Sequence, residues 1–377
     1  MFTDWCLLSH IRDIAMRILH IITSLRTGGA EKLMIDLLPR LQRMNNDIEI
    51  LLFDGIRTTF FDKLESQGIK IHKLDYGKNV YNPILLIKLF IFLLKNKFDI
   101  VHTHNTACQL FTAIVSIFFS FRLITTEHNT TNRRRNLKWY KLIDKWMYHR
   151  YDDVICISKI AENNLRKYLC SNDDKIITIQ NGIDIGAYSN AQPFNRTNDK
   201  QIIVMVAGFR KEKDQDTLIK ALSLIPKDQF ELWLVGDGER KELLKTLVYS
   251  KGLENNVVFW GIRNDVPSIL KSADIIVMSS HSEGLSLSNL EGMASGKPLI
   301  ASDVDGLREV TQNYGLLFEH GNSKDLADKI TLLSNDKDLY QKVAKNCYRR
   351  ACQFDINEMS ITYNNIYNKS YYNSLNN

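Results

Sequence analysis

The stretch 275–301 constrains the chain most. Its first residues, Ile275-Ile276-Val277-Met278, form an uninterrupted apolar run of the kind that makes a strand buried on both faces. A polar loop through Gly284 follows. Leu287, Leu290, Met293 and Ala294 then recur at helical spacing until Gly296 and Pro298 stop the helix. A second apolar run, 298–301, predicts the next strand. Strand, loop, helix and strand in this order make one unit of a parallel sheet, because parallel neighbours need a crossover. Glu283 sits in the loop at the carboxyl end of the first strand, and Glu291 sits one turn into the helix. Such loops line the ligand crevice of open α/β sheets. The helix start adds free N–H groups and partial positive charge for an anion.

The rest of the chain repeats this alternation. Apolar runs predict strands over 17–24, 48–53, 69–74, 100–103, 123–127, 154–157 and 176–180. A second set follows over 202–207, 230–235, 257–260 and 315–318, with helical segments between strands throughout. A chain of 377 residues with two such sets predicts two doubly wound α/β domains. The boundaries expected are a fraying extension over 1–15 with Met16 as the natural start, one domain over 16–185, and a second over 186–355. The polar run 188–200 is the linker.

Composition excludes several classes. Forty-nine Lys and Arg against 43 Asp and Glu leave a net charge of +6, a mild bias and no nucleic-acid signature. Six cysteines show no C-x-x-C pair and read as reduced thiols of a cytosolic protein. The apolar segments 84–94, broken by Lys88, and 110–121 are too short to span a bilayer and are expected as core helices. No G-x-G-x-x-G follows a strand, which disfavours a dinucleotide oxidoreductase.

Some signals stay open at this level. Residues 132–150 place Arg133, Arg134, Arg135, Lys138, Lys141, Lys145 and Arg150 among Trp139, Tyr140, Trp146 and Tyr148. That pattern suits a solvated basic face, an anionic membrane surface, an acidic or diphosphate-bearing acceptor, or nucleic acid, although no recognised nucleic-acid module accompanies it. His104, Glu127, His128 and Asn129 fall at strand ends, where ligands are met. His102 and His104 lack further metal ligands spaced nearby, so no metal is expected there. Gly208, Arg210 and Lys213 follow another strand, and cations in such a loop can clamp a diphosphate.

The stretch 279–298 resembles the signature of the retaining glycosyltransferases of family 4, which have the GT-B fold. Their pattern is Glu-Gly-aromatic-Gly-Leu, a second Glu eight positions after the first, then Ala-Met-Ala-x-Gly-x-Pro. Glu283, Gly284, Leu287, Glu291, Met293, Ala294, Gly296 and Pro298 match, while Leu285, Ser286 and Gly292 depart. The likeness extends over 17–354. Gly28-Gly29-Ala30-Glu31 corresponds to the family's loop at the donor phosphates. Asn181-Gly182-Ile183-Asp184 corresponds to its Asn-Gly-Val-Asp, with Gln180 where Pro is usual. Gly306 and Glu309 correspond to its Gly-x-x-Glu. Lys213 matches the family Lys, but Gly208 stands where the family has Arg, and Arg210 lies two residues on.

The resemblance implies two Rossmann-like domains facing across a cleft, with an acceptor-side domain first and a nucleotide-sugar domain second. It also implies that 356–377 forms a helix packing back on the first domain. The activity implied is transfer of a sugar, with retention, from a nucleotide diphosphate sugar to a hydroxyl of a glycan or lipid-linked acceptor at the inner membrane face. No metal or other cofactor is implied, so Asp303-Val304-Asp305 is not read as a metal motif. Catalytic roles carry over to Glu283, His128, Lys213 and Arg210. Donor contacts carry over to Gly28, Gly29, Gly208, Gly236, Gly261, Arg263, Gly284, Leu285, Ser286, Leu287 and Glu291. His104, Glu127 and Asn129 fall on the acceptor side. An epimerase of the same architecture and a non-enzymatic membrane-surface protein are the alternatives.

Overall fold

The computed structural model describes residues 15–26, 28–74, 79–128, 135, 138–196 and 198–375. Asn129, Arg133 and Arg134 lie outside the described residues. The chain divides into two compact units. One comprises the residues up to Asn181 together with those from Ile356 on, and the other is Gly182–Asp355.

The N-terminal unit runs β1 (Met16–Ile22), α1 (Gly29–Arg43), β2 (Asn46–Leu52), α2 (Thr59–Ser66), β3 (Lys70–Lys73), α3 (Ile84–Lys95), β4 (Ile100–His104) and α4 (Thr106–Val115). It continues with β5 (Arg122–Glu127), α5 (Lys138–Arg150), β6 (Asp153–Cys156), α6 (Lys159–Leu169) and β7 (Ile176–Thr178). All pairings are parallel, in the order β3-β2-β1-β4-β5-β6-β7. The central strand β1 is apolar at nearly every position because helices cover both faces. The edge strand β3 carries exposed Lys70 and Lys73, which discourage pairing with another chain. Chain order reverses direction between β1 and β4, the switch point where doubly wound sheets bind ligands.

The second unit runs α7 (Ile185–Ser189), β8 (Gln201–Val206), α8 (Gln215–Leu222), β9 (Phe230–Val235), α9 (Lys241–Ser250), β10 (Val257–Gly261), α10 (Val266–Ser272) and β11 (Ile275–Met278). Then come α11 (Leu287–Ala294), β12 (Leu299–Ser302), α12 (Leu307–Thr311), β13 (Leu316–Phe318), α13 (Ser323–Asn335) and α14 (Lys337–Ala351). Its parallel order is β10-β9-β8-β11-β12-β13, with the switch point between β8 and β11. A Cβ on Gly292 would stand 2.9 Å from Ile276 Cγ2, so α11 lies close against the sheet at the position where the family motif has Ala.

The last helix, α15 (Ile356–Leu375), belongs to the N-terminal unit. Its Ile356, Met359, Tyr363 and Tyr367 join Leu33, Leu37 and Ile18 in the core. Each strand expected from the sequence forms, with small shifts at the ends. One expectation needs correction. The segments 84–94 and 110–121 are not wholly core. Leu85, Leu89 and Leu93 of α3 are buried, but Ile84, Ile87, Ile91 and Leu94 stand exposed. The second segment leaves α4 for a single 3-10 turn, Ser116–Phe118, in which Ile117 and Phe118 face outward.

Candidate functional site

In the second unit the signature residues collect at the carboxyl edge of the sheet. The loop after β8 ends in a 3-10 turn, Lys211–Lys213, and Asp214 closes it in the left-handed region at φ 50°. Asp214 then caps α8, its Oδ1 accepting from Thr217 N at 3.3 Å. This turn aims Lys213 at the loop after β11, the strand beside β8. Lys213 Nζ donates to Glu283 Oε1 at 2.5 Å, and both side chains are largely buried. Ser280 Oγ donates to the same oxygen at 2.8 Å. Ser279 Oγ staples the two loops by donating to Asp214 O at 2.8 Å, and His281 N donates to Glu212 O at 2.8 Å. Two loops far apart in sequence thus hold one lysine and one carboxylate together at the switch point.

Neighbouring groups shape the same edge. Ser286 caps α11, its Oγ accepting from Asn289 N at 3.4 Å, while Leu285 is buried and Leu287 opens the helix. Glu291 is buried in that helix. Gly306 has φ 83°, and a Cβ there would stand 2.0 Å from Gly284 O, so the loop after β12 packs directly under the Glu283-Gly284 turn. Gly236, at φ 136°, leaves no room for a Cβ, which would fall 2.1 Å from Ala207 O, one residue before Gly208. Gly208 O accepts from Gln215 Nε2 at 3.0 Å. Gly261 also has positive φ, at 67°.

Two predicted cations are engaged elsewhere. Arg210 is exposed and pairs with Glu212 at 3.1 Å. Arg263 forks onto Asp265 at 2.8 and 2.5 Å and lies over the Trp260 ring. Asp303 and Asp305 both bind the Arg308 guanidinium, at 2.5 and 3.2 Å.

The N-terminal unit gathers histidines beside its own switch point. His20 on β1 is the register partner of His102 on β4. His20 Nδ1 lies 3.0 Å from His104 Nε2, and His104 Nδ1 lies 3.0 Å from His128 Nε2. Burial lowers the pKa of His20 to about 3 and that of His128 to about 4. Burial, and then neighbouring histidines, hold His102 and His104 well below the ordinary value. Four neutral rings result. Each link in the chain needs one donor and one acceptor, so the tautomers are coupled. Among the described residues His20 Nε2 is buried and meets no hydrogen-bond partner. With that nitrogen unprotonated, polarity runs outward: His20 donates to His104, His104 donates to His128, and His128 carries its proton on Nδ1.

The nitrogens of His20, His102 and His104 also lie near one another as a metal set would. However, His102 uses both of its nitrogens, on Tyr367 OH at 2.7 Å and Thr126 Oγ1 at 2.8 Å. His104 uses both of its own on the flanking histidines. In the second unit Asp214, His281 and His320 form a similar trio, in which His281 Nδ1 lies 2.5 Å from His320 Nε2.

Gly28 precedes α1, and a Cβ there would fall 2.2 Å from Glu31 Oε2; one on Gly29 would meet nothing within 4 Å. Burial raises the Glu31 carboxyl above its usual range, and a hydrogen bond with Asn105 works against that rise. Asn105 itself has φ 67° and ψ 149°, a strained conformation for a residue with a side chain. Glu127, placed on the acceptor side from the sequence, is buried and accepts from Tyr148 OH at 2.5 Å and Arg135 Nη2 at 3.0 Å. It ties together the start and the end of the basic segment, through Arg135 and Tyr148. Sequence reasoning missed His20, whose only local signal is its place between Ile18 and Ile22 on an apolar strand.

Comparison with known proteins agrees with this architecture. Residues 27–186 match the family described as Glycosyltransferase Family 4, and residues 189–350 match Glycosyl transferases group 1. An uncharacterized glycosyltransferase of Methanocaldococcus jannaschii is 27% identical over 330 residues, 85% of this chain and 88% of its own. The N,N'-diacetylbacillosaminyl-diphospho-undecaprenol alpha-1,3-N-acetylgalactosaminyltransferase of Campylobacter jejuni is 26% identical over 350 residues, 82% and 88% of the two chains. Anabaena HepE, solved in complex with UDP and glucose, superposes with a TM-score of 0.80 at 22% identity, covering 92% of this chain and 98% of its own. The sucrose-phosphate synthase of Thermosynechococcus elongatus gives the same TM-score at 21% identity, over 94% and 98%. With two family matches spanning nearly the whole chain and a GT-B fold of two parallel α/β sheets, this chain belongs to the family 4 glycosyltransferases, enzymes that transfer a sugar.

Proposed function

We propose that this enzyme moves a sugar, with retention at the anomeric carbon, from a nucleoside diphosphate sugar to a hydroxyl of a lipid-linked glycan. The observation that carries the reading is the Lys213–Glu283 pair at the switch point of the second unit. Glycosyl transfer makes the anomeric carbon cationic and builds negative charge on the departing diphosphate. Fixed positive charge and N–H groups must therefore stand at that diphosphate. Lys213 Nζ supplies the charge, and the Ser286-capped start of α11 supplies N–H groups. A diphosphate competes with Glu283 for Lys213. Glu283, still held by Ser280, then turns to a hydroxyl of the donor sugar or to its developing charge. Glu291 holds the ribose hydroxyls, and Arg210 swings from its exposed pair with Glu212 to add a second cation. The residues of this edge do the work without a metal.

In the N-terminal unit, His128 donates its Nδ1 proton to a sugar hydroxyl. It does so as a neutral donor, because His104 and His20 fix its tautomer. The glycines 28 and 29 allow main chain to approach a phosphate. A lipid-linked acceptor is supported by the names of two relatives. These are the Campylobacter enzyme and an Escherichia coli UDP-Gal:alpha-D-GlcNAc-diphosphoundecaprenol alpha-1,3-galactosyltransferase, 28% identical over 298 residues, 70% of this chain and 73% of its own. Among the described residues no helix is long and apolar enough to cross a membrane. In this reading the protein reaches its acceptor from the cytoplasmic side, with the basic segment 132–150 against the leaflet.

A thermal-shift screen against UDP-, GDP- and ADP-sugars tests the donor, since ligand binding raises the melting point by linkage. One nucleotide series should shift the melting point, and nucleoside diphosphate release should then depend on an undecaprenol-diphosphate-linked acceptor. No shift with any series, or release at the same rate without acceptor, refutes the reading.

A further inference from the structure

Ten large apolar side chains stand exposed among the described residues of the N-terminal unit. All but Ile361 of α15 fall in or beside one layer. Ile84, Ile87, Ile91 and Leu94 form a stripe along α3 at helical spacing, between 44% and 62% exposed. Ile117 and Phe118 follow α4, and the Phe118 ring packs 5.6 Å from Phe90 of α3. Leu142 and Trp146 lie one turn apart on α5. Tyr81 precedes α3. The helices α3, α4 and α5 pack side by side. Right-handed crossovers put them on the sheet face opposite α1 and α15. Exposed apolar residues are ordinary when scattered; gathered on one face they mark something that covers them.

Charge identifies the cover. From residue 79 to 126 the only acid is Asp99, and its carboxylate accepts from Arg17 N at 2.8 Å. Lys95 and Lys97 are exposed at the end of α3. The outward stripe of α5 reads Leu142, Lys145, Trp146, His149 and Arg150, all exposed. Its one acid, Asp144, is buried and accepts from Tyr168 OH at 3.0 Å. Apolar and aromatic side chains rimmed by cations, with no exposed acid among them, match an anionic leaflet. A second copy of the chain fits poorly, because a two-fold pairing would set these cations against each other. At 12 residues α3 is about 18 Å long, well under the roughly 30 Å hydrocarbon core. It can lie in the interface but not span it.

We infer that the outer face of α3, the Ser116–Phe118 turn and α5 is a bilayer-docking surface for anionic phospholipid. The stripe of α3 and Phe118 enter the headgroup layer, and the α5 cations rest on the lipid charge. This rests on the proposed lipid-linked acceptor and extends the contact from the basic segment to an apolar helix that sequence reasoning had put in the core.

The test uses the full chain and sedimentation with two vesicle types, phosphatidylcholine alone and an equimolar mixture with phosphatidylglycerol. Wild type should bind the mixed vesicles. The double substitution Ile87→Asp/Ile91→Asp should weaken that binding about tenfold or more. Lys145→Glu/Arg150→Glu should weaken it toward the level seen with neutral vesicles. Ile361→Asp, on the other face, should change nothing. Wild-type binding that survives both double substitutions overturns the inference. So does a wild-type dimer in size-exclusion chromatography that Ile87→Asp/Ile91→Asp turns into a monomer, since the face would then be a self-interface. Nucleotide-sugar thermal shifts on the same proteins separate the two claims. A shift without vesicle binding refutes this surface alone, whereas vesicle binding without any shift refutes the proposed donor and leaves the surface standing.

Discussion

Acid should open the N-terminal unit through its buried histidines, and the size of the effect can be worked out. His20 and His128 stay neutral in the fold down to about 3 and about 4, whereas an unfolded histidine titrates near 6.5. Below 6.5 the unfolded chain therefore binds protons that the folded chain refuses. Stability is complete above 6.5 and falls as pH drops toward the folded values. Between about pH 7 and pH 5 each such histidine removes about 2 kcal/mol, so these two alone remove about 4 kcal/mol. His102 and His104, lowered by burial as well, act in the same direction. That is a large share of the roughly 5–15 kcal/mol that holds a domain. Amide exchange of β1 and β4, followed by mass spectrometry and corrected for intrinsic rates, reads this opening locally. His20→Asn keeps a polar atom near Nδ1 and removes one titrating ring. Its stability at neutral pH will differ from wild type, but its loss on acidification should be smaller by about 2 kcal/mol. Equal acid losses in wild type and His20→Asn would refute the neutral chain.

Further outcomes follow from the second unit and from the glycines. Lys213→Ala and Glu291→Ala should each cut turnover about a hundredfold or more, in the range for lost electrostatic groups, while Arg210→Ala, starting from an exposed pair, should cost less; near-normal rates in the first two would refute the site. Gly236→Ala forces a Cβ to within 2.1 Å of Ala207 O and should cost about 2–4 kcal/mol, read as a lower melting point; an unchanged melting point would show that the loop yields freely. Gly29→Ala meets nothing within 4 Å, so it should melt like wild type, and any loss of turnover would report on close approach of a ligand.

The local features of this protein were legible in its sequence. Short, largely apolar runs such as 230–235 and 275–278 became β9 and β11 because burial on both faces favours apolar side chains at nearly all positions, Glu231 being the half-buried exception in β9. Gly296 and Pro298 ended α11 because neither residue sustains a helix. The signature 279–298 pointed to a glycosyltransferase because its loop, cap and helix are contiguous. Tertiary structure decided what distant residues do to each other. Lys213 and Glu283 stand 70 positions apart and meet only because β8 and β11 are neighbours. His20 joined the chain to His128 through the pairing of β1 with β4, which no local pattern announces. Glu127 took Arg135 and Tyr148 as partners and so became an anchor for the basic segment. Hydropathy alone put α3 in the core, yet its layer leaves one side open, since a helix on a sheet can bury only the face it turns inward. Propensity and capping act within a few residues and can be read in order along a chain. Register, burial and proton sharing depend on which strands lie side by side, and that is a property of the folded sheet.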